Sequence, residues 1–268
     1  MRIQSMIYLL VVCAPARAAA QAMVVAAGCA GECRVELDSV RVAVDVRDTV
    51  ATTYVDHDIL NHGDQAVDGA LFFPIPRGAT ILHVSVYEGA TLERYDVWST
   101  PAESRSVLAT LMREGRNRGL RAYAGLEVVH VPVPSIPARG SQRVRITYLE
   151  MLRPRSGALA YRYPLTTGAP PRRLALRMTV RTEHGFRDFA SPSHPVEVTW
   201  GSEGVRCPPR YRCGWMGATS RRVKHVRLDS VPATRRRDFV LRFTPAASAS
   251  ELPPEPGWIS PAPEPRRR

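Results

Sequence analysis

The sequence predicts a mainly β fold, an antiparallel β-sandwich with one amphipathic helix packed against it. Three observations carry that expectation. Short apolar runs recur with a period of two, turn-forming residues separate them, and a single segment switches to the helical period.

The strands come first. Val40, Val42, Val44 and Val46 share one face, with Arg41, Ala43, Asp45 and Arg47 on the other. The same alternation appears in Leu82/Val84/Val86, Val144/Ile146/Tyr148 and Leu174/Leu176/Met178/Val180, then in Val196/Val198/Trp200 and Phe239/Leu241/Phe243. Each run is β-branched or aromatic and bounded by Gly, Pro, Asn or Asp. Strands apolar on one side are what two antiparallel sheets packed face to face require. The helix is predicted at Thr100-Pro101-Ala102-Glu103, which has capping-box spacing with proline at the first helical position. Val107, Leu108, Leu111 and Met112 then fall on one face, and Gly115 supplies a stop, giving about four turns. That stripe reads as core packing rather than as a cofactor box.

The flanks set the domain layout. Arg2, the apolar run Met6 to Ala14 and the small-x-small site Ala20-Gln21-Ala22 read as a signal peptide over residues 1–22, with cleavage after Ala22. The apolar run is shorter than the roughly 20 residues that span a bilayer, which disfavours a membrane anchor. A lipidated Cys13 is the other alternative, disfavoured by Val12 before it. Residues 23–34 form a short N-terminal segment, 35–245 the β-rich domain, and 246–268 a flexible Pro-rich tail with little to bury. The expected location is therefore extracytoplasmic, periplasmic or secreted.

Outside Cys13, four cysteines remain: Cys29, Cys33, Cys207 and Cys213. An even number in an oxidising compartment suggests two disulfides, with 29/33 and 207/213 the first choice among three pairings. A four-cysteine zinc site is the alternative, but neither pair has zinc-knuckle spacing. The formal charge of +12 invites a nucleic-acid reading. Lys224 is the only lysine, however, and the arginines are scattered without interleaved aromatics, so no nucleic-acid partner is expected. Weak contact with anionic cell-surface polymers is compatible with such a surface.

Candidate chemistry is sparse. Asp56-His57-Asp58, Asn61-His62 and Asp64 crowd metal-ligand types together, but strand alternation sends His57 and Asp58 to opposite faces, and Asn61 to Asp64 reads as a turn. His194 lies between Ser193 and Pro195 with no evident nucleophile. No zinc-protease helix, nucleophile elbow or phosphate loop is found, so the expectation is a protein without catalytic, cofactor or metal residues.

The order of the punctuation residues points to a family. Val50-Ala51-Thr52-Thr53 ends a strand, Asn61-His62-Gly63-Asp64 makes a turn, and Val67 to Pro76 closes on Phe73-Pro74-Ile75-Pro76 before Gly78-Ala79. Pro101 opens the helix, Gly115-Arg116 closes it, and Ile136-Pro137 to Gly140 lead into Val144 to Leu152. Tyr163-Pro164-Leu165, Ser191 to Pro195 and Arg237 to Leu241 follow. This order resembles the VIT domain, the module shared by vault proteins and inter-α-trypsin inhibitor heavy chains. The likeness runs over roughly residues 35 to 245. It departs at Asp68, where the family has Glu, at Leu71, where it has an aromatic, and at Arg118 to Tyr123, where it has a Leu-rich stretch. Relatives usually continue into a von Willebrand A domain with a metal-dependent adhesion site, whose function is not carried over here.

The expected function is an exported, non-catalytic interaction module with a macromolecular partner, a protein, contacted through the sandwich surface and its loops. A basic protein binding anionic polymers is the first alternative, and a cryptic hydrolase the second.

Overall fold

The computed structural model describes residues 22–26, 34–88, 91–94, 98–113, 123, 126–165, 171–203, 221–229 and 237–247. In chain order these form β1 (Met23–Ala26), β2 (Val35–Arg47), β3 (Val50–Asn61), β4 (Val67–Pro74), β5 (Thr80–Glu88) and β6 (Thr91–Arg94). After α1 (Pro101–Arg113) come β7 (Val128–Ile136), β8 (Ser141–Met151), β9 (Leu159–Tyr163) and β10 (Arg173–Thr182). The last are β11 (Phe186–Ala190), β12 (Glu197–Glu203), β13 (Arg221–Asp229) and β14 (Phe239–Pro245).

The mainly β expectation holds, with a more elaborate sheet plan than two antiparallel layers. An eight-stranded sheet runs β12-β13-β10-β2-β3-β8-β5-β6, and two three-stranded sheets run β1-β4-β7 and β11-β14-β9. One neighbour pair, β10 with β2, is parallel, from Arg173 beside Ser39 to Arg181 beside Arg47. The chain leaves the large sheet after β8, builds β9 in a small one, and re-enters beside β2 in the same direction. Such a crossover is what a parallel neighbour needs.

Alternation decides what each strand buries. On β3, Ala51, Thr53, Val55, His57 and Ile59 are fully buried, and they pack with the inward Val42, Val44 and Val46 of β2 and Val144, Ile146 and Tyr148 of β8. Facing them are Leu71 and Phe73 of β4, Val129, Val131 and Val133 of β7, Tyr161 of β9 and Leu241 and Phe243 of β14. One core thus joins all three sheets. The period slips at one predicted run, and another keeps its phase but ends exposed. Leu82 sits at a register shift between Ile81 and His83 and is 37% exposed, while Val84 and Val86 are buried. Trp200, at the end of the Val196/Val198/Trp200 run, is 57% exposed on the edge strand β12.

The turns follow their side chains. The Asn61 amide donates to the carbonyls of Gln65 (2.8 Å) and Ile136 (3.2 Å), and its Oδ1 accepts from the Gly63 N–H at 2.8 Å. Pro74 ends β4, and Gly78, with φ of 77°, makes the turn into β5. At α1 the capping box is formed: the Thr100 N–H donates to Glu103 Oε2 (2.7 Å), and the Glu103 N–H donates to Thr100 Oγ1 (3.3 Å). Leu108 is buried with Val25, Phe72, Tyr123 and Val128, while Val107, Leu111 and Met112 are partly buried. The helix therefore lies on the β1-β4-β7 sheet. Gly115 lies outside the described residues, as do Cys13, Cys29, Cys33, Cys207 and Cys213, so their pairing stays an expectation. Among the described residues, no helix is long and apolar enough to cross a membrane.

Candidate functional site

The Asp56-His57-Asp58 triplet is split by the pleat, as strand geometry requires. His57 points into the core, with its ring 5.4 Å from that of Phe73 in an edge arrangement. Burial, only partly offset by the nearby Val144 backbone, lowers its pKa to about 4. His62 bonds Glu36 at 2.9 Å, and Asp64 pairs with Arg139, so the crowded ligand types go to different places.

Asp56 and Asp58 face outward and meet arginines on both neighbours. Register sets Asp56 opposite Arg41 on β2 and Arg145 on β8, and Asp58 opposite Arg143 on β8. Arg145 grips Asp56 with two bonds, 2.6 and 2.8 Å. Arg143 Nε reaches Asp58 at 2.6 Å, Arg41 reaches it at 3.0 Å, and Ser39 Oγ donates to it at 2.5 Å. Burial opposes the Asp58 charge, yet the Arg143 and Ser39 bonds and the Arg41 charge hold its carboxyl below the usual range. Both Arg143 and Arg145 also lie over the Tyr87 ring, at 5.3 and 5.5 Å from its centre. Beside them Tyr54 is 39% exposed. The outer face of the large sheet thus carries a cross-strand lattice of opposite charges, fixed in position by neighbours on both sides.

A second polar group lies inside. Glu150 and Tyr148 share the inward phase of β8, and buried Glu150 Oε1 has no hydrogen-bond partner among the described residues. Thr53 Oγ1 and the Tyr161 hydroxyl bond at 3.0 Å nearby. Burial raises the Glu150 carboxyl to about 7 and pushes the Tyr148, Tyr161 and Tyr163 hydroxyls well up. His194 Nδ1 bonds Ser193 Oγ at 3.0 Å, but that oxygen accepts the Val240 N–H at 2.7 Å and so pins a loop to β14.

A family model described as the vault protein inter-alpha-trypsin domain matches residues 37–148. The match takes in less than half of the chain. The charge lattice lies within the matched residues. The VIT match ends inside β8, short of the trailing strands to which the sequence resemblance extends.

Comparison with curated proteins found no match. Among solved structures, a candidate nutrient-binding protein of Legionella pneumophila is similar at 10% identity and a TM-score of 0.42, covering 84% of this chain and 72% of that one. Aminopeptidase A of Legionella pneumophila, solved with aspartic acid, shares 9% identity at 0.41, with 82% of this chain and 22% of that one covered. An M1 zinc metallopeptidase from Deinococcus radiodurans shares 8% identity at 0.39, covering 78% and 42%. The chain spans less than half of either peptidase, and likeness at this level carries no functional argument.

The sequence reading reached Asp56 and Asp58 as ligand types and missed their arginine partners. The signal was present: the polar phase of one strand is acidic and that of another, Arg143 and Arg145, is basic.

Proposed function

We propose that this protein is an exported, non-catalytic interaction module that binds a macromolecular partner, a protein, through the outer face of its large sheet. The observation that carries the reading is the lattice of Asp56, Asp58, Arg41, Arg143 and Arg145 around Tyr87, with Tyr54 at its margin. Its arginines and tyrosines are types enriched at interfaces, and side chains already fixed lose little freedom on binding. Because its charges are paired, contact would rest on shape and hydrogen bonding more than on net charge, and would persist at moderate salt.

The test is capture of envelope and secreted proteins on the immobilised mature chain, beside the Tyr54→Ala and Tyr87→Ala variants, with and without a chelator. Specific capture that survives chelation and weakens at least about tenfold in the variants supports the reading. Capture unchanged by the variants would move the contact elsewhere, and a steep loss with salt would favour the anionic-polymer alternative. Turnover in a hydrolase screen would overturn the non-catalytic reading.

Export is part of the proposal. Cleavage after Ala22 would leave β1 whole, with Met23 still opposite Phe72. N-terminal sequencing of protein from its native source should begin at Met23. Non-reducing peptide maps should show Cys29 joined to Cys33 and Cys207 to Cys213, and four thiols or bound zinc would remove the disulfides.

A further inference from the structure

The only lysine of the sequence occupies an unusual place. Lys224 is on the inward phase of β13, directly opposite Val180 on β10 and Trp200 on β12. Its Nζ lies 3.7 Å from the centre of the Trp200 ring, 4.3 Å from that of Phe189 and 5.0 Å from that of Phe186. Two strands of the large sheet and β11 of a small one thus build a three-ring cage around one amine. Unlike the arginines of the outer face, it pairs with no carboxylate among the described residues. His225 and Arg181 belong to the opposite phase of their strands. Lys224 as a whole is 6% exposed, but Trp200, which forms one wall, is 57% exposed on an edge strand, so the cage borders solvent.

We propose that Lys224 is a carbonyl-reactive amine, a site where small apolar aldehydes condense to an iminium held by the aromatic cage. With no carboxylate partner among the described residues to hold the ammonium in its charged form, burial lowers its pKa to about 8. The neutral nitrogen forms the C–N bond as the carbonyl π pair moves to oxygen. Proton transfer from nitrogen to oxygen gives the carbinolamine. Loss of water and uptake of one proton then leave the protonated imine. Oxidation states do not change, and one positive charge is present before and after. Ring faces attract cations, most of all diffuse and weakly hydrated ones, so the cage favours the iminium over the ammonium it replaces. The same rings would pack the aldehyde's hydrocarbon chain.

The experiment treats the folded full-length protein with propanal and cyanoborohydride at pH 7.5, which traps an iminium as a secondary amine located by peptide mass mapping. The same reaction in urea gives the reactivity of Lys224 without its cage, and the α-amino group serves as an internal reference. An amine near pKa 8 has a far larger neutral fraction at this pH than ordinary lysine, so trapping at Lys224 should be roughly tenfold faster in the folded protein after allowing for its lower basicity. Trp200→Ala and Phe189→Ala, checked for folding by circular dichroism, should each lower that preference. No labelling of folded Lys224, or faster labelling in urea, would overturn the proposal. If a variant fails to fold, the folded-versus-urea comparison decides alone.

Discussion

His57 sits in the core against Phe73 with its pKa lowered to about 4, and Glu150 sits at the end of the same core with its pKa raised to about 7. Their effects on stability have opposite signs. An unfolded chain protonates His57 below about pH 6.5 while the fold resists, so the histidine's contribution is full above that pH and is lost as pH falls toward 4. Glu150 stays protonated in the fold where the unfolded chain has ionised, so its contribution is full below about pH 4.5 and is lost as pH rises toward 7. Each shift is worth about 3 kcal/mol at its limit, and between pH 4.5 and 6.5 the two slopes oppose. Denaturant unfolding across this window should therefore find little net change from this pair. Glu150→Gln should expose a rise in stability with pH, and His57→Leu a fall. Parallel curves for both variants and the parent would refute the pairing. The inward place of Glu150 was legible, since the phase that buries Val144, Ile146 and Tyr148 continues to it. Its missing partner was not, because that depends on side chains arriving from β9.

At the scale of single elements, α1 is held at its start by more than the capping box that its sequence announces. Ser104, fully buried, donates to the Ser99 carbonyl at 3.1 Å and accepts the His130 N–H of β7 at 2.9 Å. Thr100→Ala should cost about 1 kcal/mol by removing the cap. Ser104→Ala should cost about 1–3 kcal/mol, because it strips a backbone donor of its acceptor. Urea titration of the two variants checks both the order and the size, and equal losses would contradict the assignment. Capping spacing is local and readable, whereas Ser104's partner lies 26 residues away on another element. The strands divide in the same way. Unbroken alternation marked β2, β8, β10 and β14, but the shift at Leu82 left no trace in a run that looks regular.

For the molecule as a whole, pairing between distant strands matters more than any one contact. β2 is covered on one side by its hairpin partner β3 and on the other by β10, far along the chain. Neither the parallel direction nor the third sheet was legible, because period-two patterning says which face is buried and nothing about which strands are neighbours. A fragment comprising residues 22–152 should therefore self-associate in size-exclusion chromatography while a chain extended through β14 does not. A well-behaved monomeric fragment would show that the trailing strands are dispensable.

The β2–β10 pairing also bears on how the chain is made. On the order of a hundred residues separate these strands, and at cellular synthesis rates that distance takes roughly ten seconds to appear. Throughout that interval the nascent chain presents the edge of β2, with nine backbone positions that will later face β10, to whatever is close by. Chaperone dependence, and losses to aggregation when emergence is slowed, should concentrate in that window.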